Sequence, residues 1–112
     1  MAGVNKVILI GNLGKDPELK HLEGNIARAS FSLATSEAFK DKSGNRIDHT
    51  EWHNIVMWRH NAENAEKFLK KGSRIAVEGK LVSRKYTDKN GIKCFITEIQ
   101  VSELLMLGAA KN

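Results

Sequence analysis

Apolar and polar positions predict β-strands in five segments of the chain. Residues 4–13 form a nearly continuous apolar, β-branched run, which predicts a well-buried strand. Residues 27–33 alternate strictly, as in a strand with one solvent-facing side. Related patterns predict a third strand over 50–58, a fourth over 74–87 and a fifth from 92 to about 104.

One segment between the third and fourth strands has the period of a helix instead. Its expected buried stripe comprises Ala62, Ala65, Phe68 and Leu69. Asn61 is expected to cap the start of this helix, and Gly72 suits the position just after its end.

Two hairpin connections are also expected. The polar tract over 40–49 predicts a flexible loop between the second and third strands. Asn90 and Gly91 predict a two-residue type I′ turn between the fourth and fifth strands. A two-residue turn places Tyr86 opposite Phe95 across the hairpin.

The element order β-β-β-α-β-β predicts a single domain over residues 1–112, all-β with one helix. A five-stranded Greek-key barrel, the OB-fold, with its helix between strands three and four fits this order. A ferredoxin-like RNA-recognition fold needs two helices, and an immunoglobulin sandwich needs about seven strands without a helix.

Composition places the chain among ordinary globular proteins, with 41% apolar and 28% charged residues. No apolar run is long enough to span a membrane, and the first ten residues lack the features of a signal peptide. The single cysteine cannot form an internal disulfide, which favours a cytoplasmic protein. The net charge of +5 favours a polyanionic partner, including nucleic acid.

Motifs for catalysis, metals or nucleotides fail in detail. Residues 11–16, GNLGKD, have two residues between the glycines where a phosphate-binding loop has four, and a proline follows. His49 and His53 fall on a strand, where four residues span about 13 Å, too far to share one zinc ion. We therefore expect no enzyme activity, no metal and no cofactor.

The aromatic residues carry the functional signal. Both tryptophans, Trp52 and Trp58, are expected on one face of the third strand, although that face is otherwise largely polar. Phe39 and Tyr86 each lie next to lysine or arginine. Rings beside cations are typical of surfaces that stack unpaired bases and neutralise phosphates. The alternative for each ring is the barrel core or an oligomer interface.

Four motifs, VNKVILIGNLGKDPE, LATSE, TEWH and the RKYTD hairpin, resemble the bacterial single-stranded DNA-binding protein family. The resemblance extends from Val4 to about Val101. It implies an OB-fold homotetramer, a dimer of dimers, that wraps single-stranded DNA in replication, recombination and repair. It also implies a cytoplasmic, nucleoid-associated protein.

The resemblance assigns roles to individual residues. The implied DNA-stacking rings are Phe39, Trp52, Trp58 and Tyr86. The implied phosphate contacts are Lys6, Lys42, Lys71, Arg84 and Lys85. The implied oligomer interface comprises Val7, Ile8, Leu9, Ile10 and His53, with the first strand pairing across a two-fold axis. Val82 and His60 stand where the family commonly has basic residues, which suggests weaker or differently routed wrapping.

Family members typically continue into a disordered tail with an acidic tip that recruits other proteins. This chain ends in LLMLGAAKN, and about residue 105 is where such a tail is expected to start. Replication and repair proteins are therefore expected partners only if the native protein has that tail.

The function expected from the sequence is binding of single-stranded DNA without marked sequence preference. One alternative is a single-stranded RNA-binding domain of the cold-shock type, although such domains cluster their aromatics on one strand pair. The other is a protein–protein adaptor of the primosome built on the same fold.

Overall fold

The structure is a computed structural model that describes residues 2–107. Within those residues the chain forms six strands and one helix. Their bounds are β1 Val7–Leu13, β2 Glu18–Leu22, β3 Ile26–Lys40, β4 Arg46–Trp58, α1 Arg59–Phe68, β5 Arg74–Thr87 and β6 Lys93–Met106. The last residues of the expected tail, 108–112, lie outside the described residues; strand β6 includes residues 105 and 106.

Five of these strands close into a barrel. The sheet order is β1-β5-β6-β4-β3, and β1 also pairs with β3 through Asn12 with Ala34 and Leu13 with Leu33. All pairs are antiparallel except β4 with β6. The helix connects β4 to β5, the third and fourth strands of the barrel. The predicted OB-fold is therefore confirmed.

The barrel interior is filled by the inward side chains of alternating strand positions and by the helix. The largest fully buried core side chains are Leu33, Ile55, Met57, Ile75 and Val77. Ala62, Ala65 and Leu69 bury the helical stripe against them. Phe68 is 63% exposed, so its predicted place in that stripe is wrong. Its position on the flank of a short helix turns the ring away from the core.

Strand β2 was not predicted. It pairs with β3 from Glu18 opposite Ser30 to Leu22 opposite Ile26, outside the closed ring. Only Leu19 of this strand packs against the core, so the strand has no apolar alternation to indicate it. Its backbone hydrogen bonds to β3 hold it instead.

The predicted loop over 40–49 is also wrong, because β3 and β4 pair as far as Lys40 with Arg46. Only residues 41–45 form the turn. The Asp41 carboxylate accepts hydrogen bonds from the backbone N–H groups of Ser43 and Asn45, both at 2.9 Å. Such side-chain acceptors stabilise a short turn between polar strands.

The helix starts two residues before the predicted cap. Trp58 is the N-cap residue and makes no side-chain cap, and Arg59 has a positive φ of 56°. The Asn61 side chain donates to the Ser102 carbonyl at 3.4 Å, so it bonds to β6 rather than to the helix end. Gly72 has a φ of 89° but lies in the turn beyond Leu69, the residue that caps the helix.

The second hairpin has a longer turn than predicted. Asp88 accepts the N–H groups of Asn90 and Ile92 on one carboxylate oxygen, both at 2.9 Å, so the turn spans 88–92. The register therefore shifts by one residue, and Tyr86 lies opposite Cys94 instead of Phe95.

Strand β1 has two different faces in the single chain. Val7 and Leu9 pack against the core, whereas Ile8 is 63% and Ile10 51% exposed. The prediction of a well-buried strand is therefore wrong for the two isoleucines.

Candidate nucleic-acid interface

Three adjoining depressions lie along the outer face of β3, β4, β6 and β5. The first and second share Arg28, Val56, Arg84 and Glu98, and the second and third share Trp58 and Gln100. Val56, which is only 2% exposed, lies in their floor. This set of depressions is called the groove below.

The groove carries an excess of positive charge. Its cationic side chains are Lys6, Lys15, Lys20, Arg28, Lys80 and Arg84, and its carboxylates are Glu18, Glu78 and Glu98. Six cations against three carboxylates give a field that attracts a polyanion. Lys6 Nζ is 3.5 Å from Glu78, with both side chains substantially exposed, so solvent weakens that ion pair.

Trp58 separates two of the depressions and is half-buried. It lies opposite Arg28 in the register of β3 and β4. The Arg28 guanidinium is 5.7 Å from the centroid of the Trp58 ring, within the range of a cation–π contact. The indole therefore stands in the groove with a cation beside it.

Glu98 joins two arginines in the groove. Its Oε1 accepts from Arg84 Nε at 3.0 Å, and its Oε2 accepts from Arg84 Nη2 at 3.1 Å and from Arg28 Nη2 at 3.4 Å. Glu98 is 7% exposed. Its hydrogen bond to Arg84 is the main reason that the pKa of that guanidinium is raised. A buried carboxylate with paired cations is stable only in such a saturated arrangement.

Trp52 lies outside the groove, above the loop that follows β1. It is 57% exposed and faces Ala34 across the β3–β4 pair. A Cβ at Gly14 would lie 2.4 Å from Cζ3 of the indole, so only glycine leaves room for the ring there. Trp52 and Trp58 project from the same face of β4, as predicted, but they lie over different parts of the protein surface.

The other two predicted rings lie on the two long hairpins. Phe39 is 54% exposed near the end of the β3–β4 hairpin, opposite Ile47, and Lys42 lies in its turn. Tyr86 is 44% exposed on the β5–β6 hairpin. Hydrogen bonding with the Cys94 thiol is the main cause of the raised pKa of the Tyr86 phenol.

The remaining predicted phosphate contacts are dispersed. Lys85 lies opposite Phe95, with Nζ 5.7 Å from the centroid of that ring. Lys71 is exposed after the helix, where its backbone N–H donates to Asp16 Oδ1 at 2.8 Å. The structure thus brings Lys6, Trp58 and Arg84 to the groove and distributes the other predicted residues around it.

The predicted interface residues lie mostly on one surface. Ile8, Leu9, Ile10 and His53 line a depression on the β1 side of the barrel. The His53 Nε2 and Thr35 Oγ1 atoms form a hydrogen bond of 2.9 Å. Val7 points toward the core and does not line this depression.

Sequence reasoning missed several groove residues. These are Lys15, Lys20, Arg28, Asn54, Lys80 and Glu98. The position of Arg28 on the polar face of β3 could be predicted from alternation. Its partner Glu98 is 70 positions away, so nothing local in the sequence connects them.

Between residues 2 and 107, no three histidine, cysteine, aspartate or glutamate side chains come together in a way that could hold a metal ion. In the same residues, no helix has both the length and the apolar character needed to cross a bilayer.

Comparison with known proteins gives a consistent set of matches. The model of the Single-strand binding protein family matches residues 4–107. A Single-stranded DNA-binding protein of Neisseria meningitidis is 49% identical over 105 residues, covering 94% of this chain and 60% of the relative. Single-stranded DNA-binding protein 1 of Xylella fastidiosa is 48% identical over 113 residues, covering 100% of this chain and 83% of the relative.

Among solved structures, a Plasmodium falciparum SSB in complex with ssDNA superposes with a TM-score of 0.86. The two chains are 37% identical, and the match covers 96% of this chain and 98% of the other. The chain studied spans only 60% of the length of the Neisseria relative.

Proposed function

The chain belongs to the single-strand binding protein family, and on that premise we propose that it binds single-stranded DNA without marked sequence preference and catalyses no reaction. One observation carries the proposal most directly. The groove combines an indole, Trp58, with six cationic side chains on one open face of the barrel. Such a surface suits a polymer that offers both free base faces and phosphates.

The proposed mechanism separates two kinds of contact. Unpaired bases stack on Trp58 and on the exposed rings of Phe39, Trp52 and Tyr86. Each stack contributes about 1–3 kcal/mol and accepts any base, because every base has a π-face. Cations in the groove, including Lys6 and Arg84, neutralise phosphates and release counterions, as do Lys42, Lys71 and Lys85 outside it. A duplex is disfavoured because its base faces are already stacked.

We further propose a homotetramer built as a dimer of dimers. Two isoleucines, Ile8 and Ile10, are more than half exposed on β1, next to His53. Exposed apolar side chains along a strand favour association with another copy of the same strand. In a cell the protein would coat single strands in the cytoplasm during replication, recombination and repair. Recruitment of other proteins would require an acidic tail.

The test is a titration with poly-dT followed by intrinsic fluorescence at several salt concentrations. We expect strong quenching that saturates at a fixed ratio of nucleotides to protein. Trp58→Ala should weaken binding by about 1–3 kcal/mol, whereas Trp58→Phe should retain most of the affinity because it keeps a stacking ring.

A matched titration with an RNA homopolymer separates the RNA-binding alternative. Tighter binding of RNA would replace the DNA proposal with that alternative. No binding of either polymer by the folded protein would leave the adaptor role instead.

A further inference from the structure

The Arg28–Glu98–Arg84 cluster carries an inference that rests on the proposed DNA binding. We propose that Arg28 is a further DNA-contacting residue, and that Glu98 is a positioning residue that holds Arg28 and Arg84 as one phosphate site. This site would receive the phosphate beside the base that stacks on Trp58.

Burial explains why Glu98 can hold both arginines. Glu98 is 7% exposed, and its carboxylate accepts three N–H groups within 3.4 Å. A carboxylate at this depth costs free energy unless its oxygens are satisfied, so the ion pairs persist without ligand. The Arg28 side chain is 17% exposed, whereas that of Arg84 is 48% exposed. The pairs therefore fix two long side chains that would otherwise be mobile in the groove.

Charge explains why the cluster still suits an anion. Two guanidinium groups face one carboxylate, so the cluster has an excess of one positive charge. Each guanidinium has five N–H donors. Arg84 uses its Nε and Nη2 edge for Glu98, and Arg28 uses Nη2. Arg84 Nη1 and the Nε and Nη1 groups of Arg28 have no hydrogen-bond partner within the described chain. One phosphate charge would balance the cluster.

The position of Arg28 links the phosphate site to stacking. Its guanidinium is 5.7 Å from the Trp58 centroid and covers one face of the ring. A base can then stack on the opposite face, and the phosphate of the same strand lies next to the arginines. The neighbouring groove surface adds polar groups, with Ser30 and Ser32 on β3. The phosphate site therefore lies directly beside the ring of Trp58 on which a base would stack.

The experiment compares the full chain with Arg28→Ala, Glu98→Gln and Arg74→Ala for binding of a dT oligomer across a salt series. Arg74 is a matched control: an exposed arginine on β5, outside the groove, whose Nη1 donates to Asn12 Oδ1 at 3.2 Å. For Arg28→Ala we expect the slope of log affinity against log salt to become shallower by about 0.7. The loss of affinity relative to the unaltered protein should therefore be about fivefold larger at about 0.1 M salt than at about 1 M salt.

Glu98→Gln separates positioning from simple charge. Glu98→Gln removes one negative charge and so raises the net charge by one. Electrostatics alone therefore predicts tighter binding of the oligomer and a slope of log affinity against log salt that is steeper by about 0.7. The positioning role predicts weaker binding instead. In a Trp52→Phe background, where Trp58 is the sole tryptophan, Glu98→Gln should also change the emission of Trp58 because the guanidinium leaves the ring.

Several results would overturn the proposal. They are an unchanged salt slope for Arg28→Ala, an equal change of slope for Arg74→Ala, or tighter binding of the oligomer by Glu98→Gln. If Glu98→Gln does not fold in a thermal melt, Arg28→Ala and its control decide the question, since the Glu98 carboxylate keeps both of its hydrogen bonds to Arg84 in that variant. Failure of the unaltered protein to bind the oligomer would refute the proposed function itself. The same salt series includes the unaltered protein, so this result is distinguished from a failure of the Arg28 proposal alone.

Discussion

The contact between Gly14 and Trp52 gives a prediction that separates binding from folding. In Gly14→Ala the new Cβ would lie 2.4 Å from Cζ3 and 2.8 Å from Cη2 of the indole. Carbon atoms in contact are normally about 3.5–4.0 Å apart, so the ring must move by more than about 1 Å. The displaced atoms are the far end of a side chain that is 57% exposed.

That geometry sets the magnitude. The ring can move into solvent, so the melting temperature should change little. The loss of affinity is bounded by the whole stacking contribution of Trp52, about 1–3 kcal/mol, or roughly 5- to 150-fold in Kd. We expect a value within this range, because the ring keeps its size and loses only its position.

The assay uses a Trp58→Phe background, in which Trp52 is the only tryptophan. Emission of Trp52, affinity for a dT oligomer and the thermal melt are measured for Gly14→Ala. The control is Gly3→Ala, because a Cβ at Gly3 meets nothing within 4 Å. Unchanged emission together with unchanged affinity would refute both the position of the ring and its role in stacking.

Three further predictions concern stability, titration and assembly. Gly79→Ala should destabilise the fold strongly, because its Cβ would lie 2.0 Å from the backbone oxygen of Gln100, and a thermal melt measures the loss. The single tyrosine, Tyr86, should deprotonate above the ordinary pKa of about 10 in an absorbance titration, and Cys94→Ala should lower its midpoint toward that value. Ile8→Asp should dissociate the proposed oligomer in analytical ultracentrifugation, because it places a charge on the exposed face of β1.

Each of these predictions has a contrary result. A melting temperature of Gly79→Ala equal to that of Gly3→Ala would contradict the close backbone approach. A Tyr86 midpoint at or below the ordinary value would contradict the raising of the phenol pKa by Cys94. An Ile8→Asp protein that remains tetrameric would place the interface on another surface.

The elements that alternate between core and solvent could be predicted from the sequence. Residues 27–33 and the helical stripe of Ala62 and Ala65 have the period of the structure they form. Strand β2 could not be predicted, because its stability comes from pairing with β3 rather than from burial of its own side chains. The helix start was mispredicted because Asn61 bonds to a distant carbonyl instead of capping.

In the candidate site, too, some features could be predicted from the local sequence and others could not. Aromatic rings beside cations can be identified locally, as with Trp58. The pairing of Arg28 on β3 with Glu98 on β6 depends on the register of both strands with β4 between them, and no short-range pattern in the sequence contains it. The predicted cross-strand partner of Tyr86 was wrong by one residue, because the Asp88 carboxylate stabilises a longer turn. The Asn90-Gly91 pair, taken alone, indicates a two-residue turn.

The two long hairpins extend beyond the packed barrel, and this has a consequence for evolution. Residues 36–40 and 83–87 have no buried side chain, and the molecule measures 55 Å along its longest axis against 38 and 36 Å across. Inserting two residues in each strand of one hairpin would lengthen it by about 7 Å and keep every side chain on its original face. Such insertions would leave the barrel core unchanged. Related proteins could therefore change how far Phe39 or Tyr86 projects, and with it the length of the proposed DNA contact, without changing the packing of the barrel core.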